Sequence, residues 1–238
     1  MGALIQFKPC AAVLDFPRAA QSQRLVLTTA LKRHRLPEHL IESLIRDAQA
    51  QPDATPEEAL AWALIQRIQY RPIDFQKTRG ILLLGPGGAG KSATAAKIAH
   101  IALLSGRRVE LATAADGLAL FRTASFDSDS LMVMEAQGFN PANRRALSAF
   151  AALGEAEGVE TIGVVSAASD AEDVFEIVGA LRPPRVIVTG LDRTSRLGAV
   201  TAAITSGAHL AHVTYGPRAD DPLETLPPDL LAKMLMDW

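Results

Sequence analysis

Three features of this 238-residue chain predict an α/β fold whose mostly parallel sheet is covered by helices on both faces and preceded by a small helical bundle. Residues 21–70 place apolar side chains at helical spacing. From Gly80 onward, short apolar runs alternate with helical stretches, the rhythm of a parallel sheet buried on both faces. At the first alternation, the run from Ile81 to Leu84 breaks at Gly85 into a glycine-rich turn that leads directly into a helical pattern.

Taken in order, residues 1–20 read as an irregular tail containing Pro9 and Pro17. Leu25, Leu27 and Leu31 begin the first helix, and Pro37 opens a second that carries Leu40, Ile41, Leu44 and Ile45. The break Gln51-Pro52-Asp53 is followed by Thr55-Pro56-Glu57-Glu58, a start signal with a cap, a first-turn proline and acids at the positive helix end. The third helix runs through Leu60, Trp62, Leu64, Ile65 and Ile68, with Trp62 expected in the bundle core. Alone, such a bundle has too little core to be very stable. The division expected is a tail over 1–20, a helical N domain over 21–78 and a phosphate-loop domain over 79–238 that includes the C-terminal helix. Within it, strands are predicted at Ile81–Leu84, Val109–Thr113, Leu131–Met134, Thr161–Ser166, Val186–Thr189 and Ala211–Thr214. Helices are predicted at Lys91–Ser105, Asn143–Glu157, Asp170–Leu181, Leu197–Ser206 and Pro228–Met236.

Gly85-Pro86-Gly87-Gly88-Ala89-Gly90-Lys91-Ser92 fits G-x-x-x-x-G-K-[ST] without a gap, and Ala93 continues it into the helix. Glycines let backbone N–H groups turn inward around phosphate oxygens, and the helix presents its positive end to them. Lys91 can then reach the β/γ-phosphates and the Ser92 hydroxyl can ligate Mg²⁺. Gly85, Gly87 and Gly90 also spell G-x-G-x-x-G. A dinucleotide turn, however, has no use for Lys91-Ser92, and no acid ends the second strand, which runs into Ala114-Ala115. The triphosphate reading is preferred.

The base is read further on. Val186-Ile187-Val188-Thr189-Gly190-Leu191-Asp192 ends a late strand with T-x-x-D. A carboxylate there can accept from the ring N–H and exocyclic amine of guanine. Adenine offers neither, and an unpaired buried carboxylate would cost on the order of 1–3 kcal/mol. The alternative for Asp192 is a helix N-cap. Gly190 cannot lay an aliphatic stem over a base, so competition by ATP stays open.

Bulk properties exclude little else. The chain is 48% hydrophobic and 21% charged with net charge −2, so no global field points to nucleic acid. Lys32-Arg33-His34-Arg35 reads as the solvated end of a helix rather than a membrane or RNA contact. Cys10 is the single cysteine, which fits a reducing compartment, and no 18-residue apolar stretch exists. A cytoplasmic protein is expected. His209 and His212 lie three apart with no third ligand nearby, so no metal site is predicted there.

Over roughly residues 25–236 the chain resembles the signal-recognition-particle GTPases, and within them the flagellar-placement branch typified by FlhF. The resemblance rests on the helical N domain, GPGGAGKSATAAKIA, TGLDRTSRLGA and Tyr215-Gly216-Pro217 before a last helix. Ser195-Arg196-Leu197-Gly198 is similar to the S-x-L-G of the flagellar branch, where the targeting GTPase and its receptor FtsY carry A-K-G-G. The resemblance implies GTP/GDP and Mg²⁺ as cofactors and Gly216 beside the base. It also implies a homodimer, or a heterodimer with an SRP-type GTPase or flagellar protein, and at most peripheral attachment at the inner face of the membrane.

The departures bear on chemistry. Where the family has D-T-Y-R after the second strand, this chain has Ala115-Asp116-Gly117-Leu118, so the water-positioning carboxylate and the arginine are lost unless Asp116 and Arg122 substitute. Where the family has D-T-A-G-R, it reads Glu135-Ala136-Gln137-Gly138-Phe139, which keeps the γ-phosphate-sensing glycine as Gly138 and lengthens the acid. Two functions follow: a nucleotide-dependent switch with weak hydrolysis, or a non-hydrolytic relative serving as an interaction module.

Overall fold

The computed structural model describes residues 18–123, 129–140 and 158–237. Cys10, the helix expected over Asn143–Glu157, the Arg122 side chain and Trp238 lie outside what it describes.

The sheet has seven strands. They are β1 (Gly80–Leu84), β2 (Arg108–Thr113), β3 (Ser130–Glu135), β4 (Val159–Ser166), β5 (Arg185–Thr189), β6 (His209–Thr214) and β7 (Leu223–Glu224). Their order is β2-β3-β1-β4-β5-β6-β7, with every pairing parallel except that of β7. Period-two alternation sends side chains of each strand to opposite faces. On β1, Ile81 and Leu83 pack with Ala95, Ile98 and Ala102 of α4 (Lys91–Leu104), while Leu82 and Leu84 face Met132, Met134 and Ala114. Both faces are therefore apolar, which is why the strand reads as an unbroken hydrophobic run.

Three helices precede the sheet: α1 (Arg18–Arg33), α2 (Glu38–Ala48) and α3 (Pro56–Ile65). Thr55 caps α3 through the expected box, accepting from the Glu58 N–H while Glu58 accepts from Thr55. The bundle does not close on itself. Its core continues through Leu231 and Leu235 of the C-terminal helix and onto Val174, Val200 and Ala203 on one face of the sheet. Trp62 is only half-buried and Leu25 and Ile65 are exposed, because α3 turns its other side, Leu60 and Leu64, toward that shared core.

Two elements were not anticipated: β7 and the helix α5 (Ala114–Thr123). The next helices are α6 (Ala171–Leu181, capped by Asp170), α7 (Gly198–Thr205) and α8 (Pro228–Met236).

The basic run at the end of α1 also needs correcting. Lys32, Arg33 and Arg35 are exposed, but His34 is buried. Its Nδ1 accepts the Leu197 N–H at 3.2 Å, and its Nε2 lies 3.1 Å from the Leu235 carbonyl, to which it donates in the tautomer that satisfies both bonds. Burial lowers its pKa, in keeping with that neutral ring. One side chain thus fastens the bundle, the start of α7 and the last helix. Gly198 permits the approach: a Cβ there would stand 2.4 Å from the His34 carbonyl oxygen.

The helix ends at Ile65 rather than near Tyr70: a turn at 66–67 follows, and the chain then runs beside β6, where Tyr70 bridges Leu210 in parallel. The Arg71 N–H donates to Leu210 O at 3.0 Å and the Leu210 N–H donates to Gln69 O at 2.9 Å. His212 completes this seam by accepting the Ile73 N–H on Nε2 at 3.1 Å. Burial pushes the His212 pKa from 6.5 down to about 4, and the charge of Arg185 acts in the same direction. Between these values the unfolded chain holds the extra proton. Stability is therefore expected to fall as pH drops from about 6.5 toward 4, by about 3 kcal/mol in total. Urea midpoints measured between pH 7.5 and 5 check this, and His212→Gln, which keeps an acceptor but does not titrate, should flatten the slope.

Candidate functional site

The phosphate loop sits where β1 ends, between the carboxyl ends of β3 and β4. Its shape follows from two glycines with left-handed backbones, Gly88 (φ 77°) and Gly90 (φ 88°), a region closed to most residues. Gly85 answers a different need. A Cβ there would stand 2.2 Å from Val164 O, so only glycine lets the strand pass that close to β4.

Two loop amides are used internally. The Gly87 N–H donates to Phe139 O (3.3 Å) and the Ala89 N–H to Pro86 O (3.3 Å). Those of Gly88, Gly90, Lys91 and Ser92 have no hydrogen-bond partner among the described residues. Four unpaired donors thus lie in the loop and the first turn of α4, whose positive end adds to their field. Lys91 is buried and folds back to donate to Gly85 O and Pro86 O, both at 3.0 Å. Burial lowers its pKa, and Glu135 partly restores it.

Glu135, the last residue of β3, accepts from Ser92 Oγ at 2.8 Å. Two residues singled out separately in the sequence thus meet: a hydroxyl and a carboxylate, both hard oxygen donors, beside the loop. Gly138 lies against the same loop, since a Cβ there would be 2.8 Å from Gly87 Cα and 3.5 Å from Lys91 Nζ. Thr189 supports the loop from below, its hydroxyl donating to Ala89 O at 2.7 Å. Ala93 follows as a half-buried residue of α4.

On the far side, Asp192 lies in a short 3-10 turn (Leu191–Arg193) after β5. It caps no following helix. Its Oδ1 instead accepts the Gly216 N–H at 2.8 Å, which joins the two stretches expected to flank a base. Lys97 was not anticipated here. It projects from α4 with 1% of its side chain exposed and donates to Tyr215 O (3.1 Å), Arg218 O (2.6 Å) and Asp221 O (3.2 Å). Its only signal in the sequence is a lysine on the same helix six residues after Lys91.

The positions that align with the family's catalytic motifs look different. An open cavity of about 820 Å³ is lined by residues 111–115 of β2 and the start of α5 and by Glu135, Ala136 and Gln137. Ala115 gives this wall only a methyl group. Asp116 is occupied locally, accepting from Thr113 Oγ1 at 2.8 Å at the start of α5. Among the described residues no group of three His, Cys, Asp or Glu side chains is arranged to hold a metal. His209 pairs with Gln69.

No family model and no curated protein matches the sequence. Solved structures do. FlhF complexed with GTP/Mg²⁺ superposes with a TM-score of 0.70 at 18% identity, over 90% of this chain and 99% of that one. The chain has the fold of FlhF and FtsY. FlhF complexed with GMPPNP/Mg²⁺ gives 0.68 at 20% identity, over 92% and 100% of the two chains. The signal recognition particle receptor FtsY from Elizabethkingia anophelis, in complex with GDP, gives 0.67 at 14%, over 92% of each. The likeness to FlhF and FtsY covers 90–92% of this chain, more than the sheet and its helices alone.

Proposed function

We propose that the chain is a guanine-nucleotide-binding switch that uses Mg²⁺ and hydrolyses GTP weakly or not at all. One observation carries this: four partnerless amides lie in the same loop and first helical turn as the buried Lys91 and the Ser92–Glu135 pair. The set fits a magnesium nucleoside triphosphate. Amides and ammonium suit phosphate oxygens, and the two oxygens of Ser92 and Glu135 suit a small hard cation. The Gly88, Gly90, Lys91 and Ser92 amides would hold the phosphates, and Ser92 with Glu135 would face the cation, whose charge offsets that of the phosphates. Asp192, fixed by Gly216, would take the guanine edge. The known FlhF and FtsY complexes contain GTP, GMPPNP or GDP, which agrees with this reading.

Hydrolysis asks for more than binding. Phosphoryl transfer depends on placing water and balancing charge. Ala115 offers neither function, and Asp116 is engaged at a helix start. Losing an orienting group and a cation costs ~10²–10⁴-fold in rate. A purely non-hydrolytic interaction module is the second reading, favoured by this same alanine-lined wall. The partner class proposed is a second copy, an SRP-type GTPase or a flagellar protein, met in the cytoplasm or at the inner membrane face, in flagellum placement or protein targeting. No helix among the described residues is long and apolar enough to cross a membrane.

Calorimetric titration with GDP, a non-hydrolysable GTP analogue and ATP, with and without Mg²⁺, tests the reading. Saturable guanine-nucleotide binding strengthened by Mg²⁺ is expected, and a flat isotherm with all three would end it. Single-turnover hydrolysis then separates the weak switch from the inert module.

A further inference from the structure

Gly190 leaves the end of β5 without a side chain, in a left-handed backbone (φ 69°). The space is nevertheless filled. The 3-10 turn folds Arg193 back so that its N–H donates to Gly190 O at 3.0 Å. Its stem then crosses the glycine: a Cβ built on Gly190 would stand 3.2 Å from Arg193 Cδ, 3.6 Å from Cγ and 3.9 Å from Cβ. Arg193 is exposed, and its guanidinium makes no ion pair or hydrogen bond among the described residues. It neighbours Asp192, whose Oδ1 is engaged by Gly216 and whose Oδ2 has no partner there.

We propose that Arg193 is a base-binding residue of the nucleotide site, its stem and guanidinium plane forming the cover on which the purine ring stacks while Asp192 holds the ring edge. The inference rests on the guanine-nucleotide reading above. Guanidinium planes stack readily on aromatic rings, and the attraction grows when the group is not already committed to an anion. A side chain at position 190 would crowd this stem and strain a left-handed backbone, so the glycine and the arginine work as a pair: one vacates the place the other fills. The acidic residues of the neighbouring loop leave the cation free for this role, since Asp220 is held by Arg218 (2.9 Å) and Asp221 accepts the Arg218 N–H (2.6 Å).

Calorimetric titration at fixed ionic strength with GDP, inosine diphosphate and inorganic tripolyphosphate tests the assignment on the full chain. Arg193→Ala should weaken both nucleotides by a similar factor, about five- to tenfold, and tripolyphosphate less than about twofold. Arg193→Met, which keeps a stem without charge, should fall between the two. Asp192→Ala supplies the contrast by weakening GDP more than inosine diphosphate, which lacks the exocyclic amine. Arg193→Ala weakening all three ligands alike would mean a general field and overturn the assignment, as would no change in any. If the unaltered protein binds tripolyphosphate but gains nothing from a base, the guanine reading itself fails, and that result is visible before any variant is made.

Discussion

Lys91→Ala is expected to reduce GTP and GDP affinity about 100-fold or more while leaving the fold intact. The ammonium is nearly enclosed and already turned toward the loop, bonded to two of its carbonyls. Those bonds end where bound phosphates would compete for the same group. A charge-assisted hydrogen bond contributes roughly 1.5–3 kcal/mol, and the field of an ammonium in a partly desolvated cradle adds to that. The folded state is affected too. The Gly85 and Pro86 carbonyls lose a single shared donor, so destabilisation of about 1–3 kcal/mol is expected. Calorimetry and thermal melting on the same sample separate the two effects. Undiminished nucleotide affinity in this variant would remove the phosphate cradle as the binding site.

The loop could be read in the sequence because its geometry requires particular residues: left-handed turns at 88 and 90 need glycine, and the doubly buried strand before it needs an unbroken apolar run. The parallel strands were legible for the same reason. β7 was not, since two residues give no periodicity. α5 was hidden by Gly117, which breaks its helical pattern, yet a Cβ there would meet Met134 Cγ at 2.4 Å, so the glycine lets the helix lie close on β3. His34 sat inside a basic run whose neighbours are all solvated, and its partners at Leu197 and Leu235 are more than 160 residues away. Asp192 could be either cap or base reader by local pattern. What decides against the cap is a bond to Gly216, 24 residues on, which no local window contains. Long-range partners, not local propensity, separate what was legible from what was not.

Lys97 is the largest case of that kind, and Lys97→Met should be correspondingly damaging. A buried lysine is costly unless its charge is fully served. Here three carbonyls, from Tyr215, Arg218 and Asp221, accept from one ammonium, and the Asp221 carboxylate lies at 4.0 Å. Burial lowers its pKa, while Asp221, Asp220 and Asp192 pull it back toward the charged form. Methionine matches the length and removes every donor. The carbonyls are then left short in a space fitted to a cation, at a cost of about 2–4 kcal/mol. For a chain of this size that is a fall in melting temperature of roughly 5–15 °C. The second consequence is more specific. The 215–221 loop holds the Gly216 N–H on Asp192, so releasing the loop frees the carboxylate that would read the base. GDP affinity should therefore drop more than tripolyphosphate affinity, because the phosphate loop at the other end of α4 keeps its own glycine geometry. Equal losses for both ligands, or a melting temperature unchanged within 2 °C, would show that the ammonium fixes neither the loop nor the base side of the site.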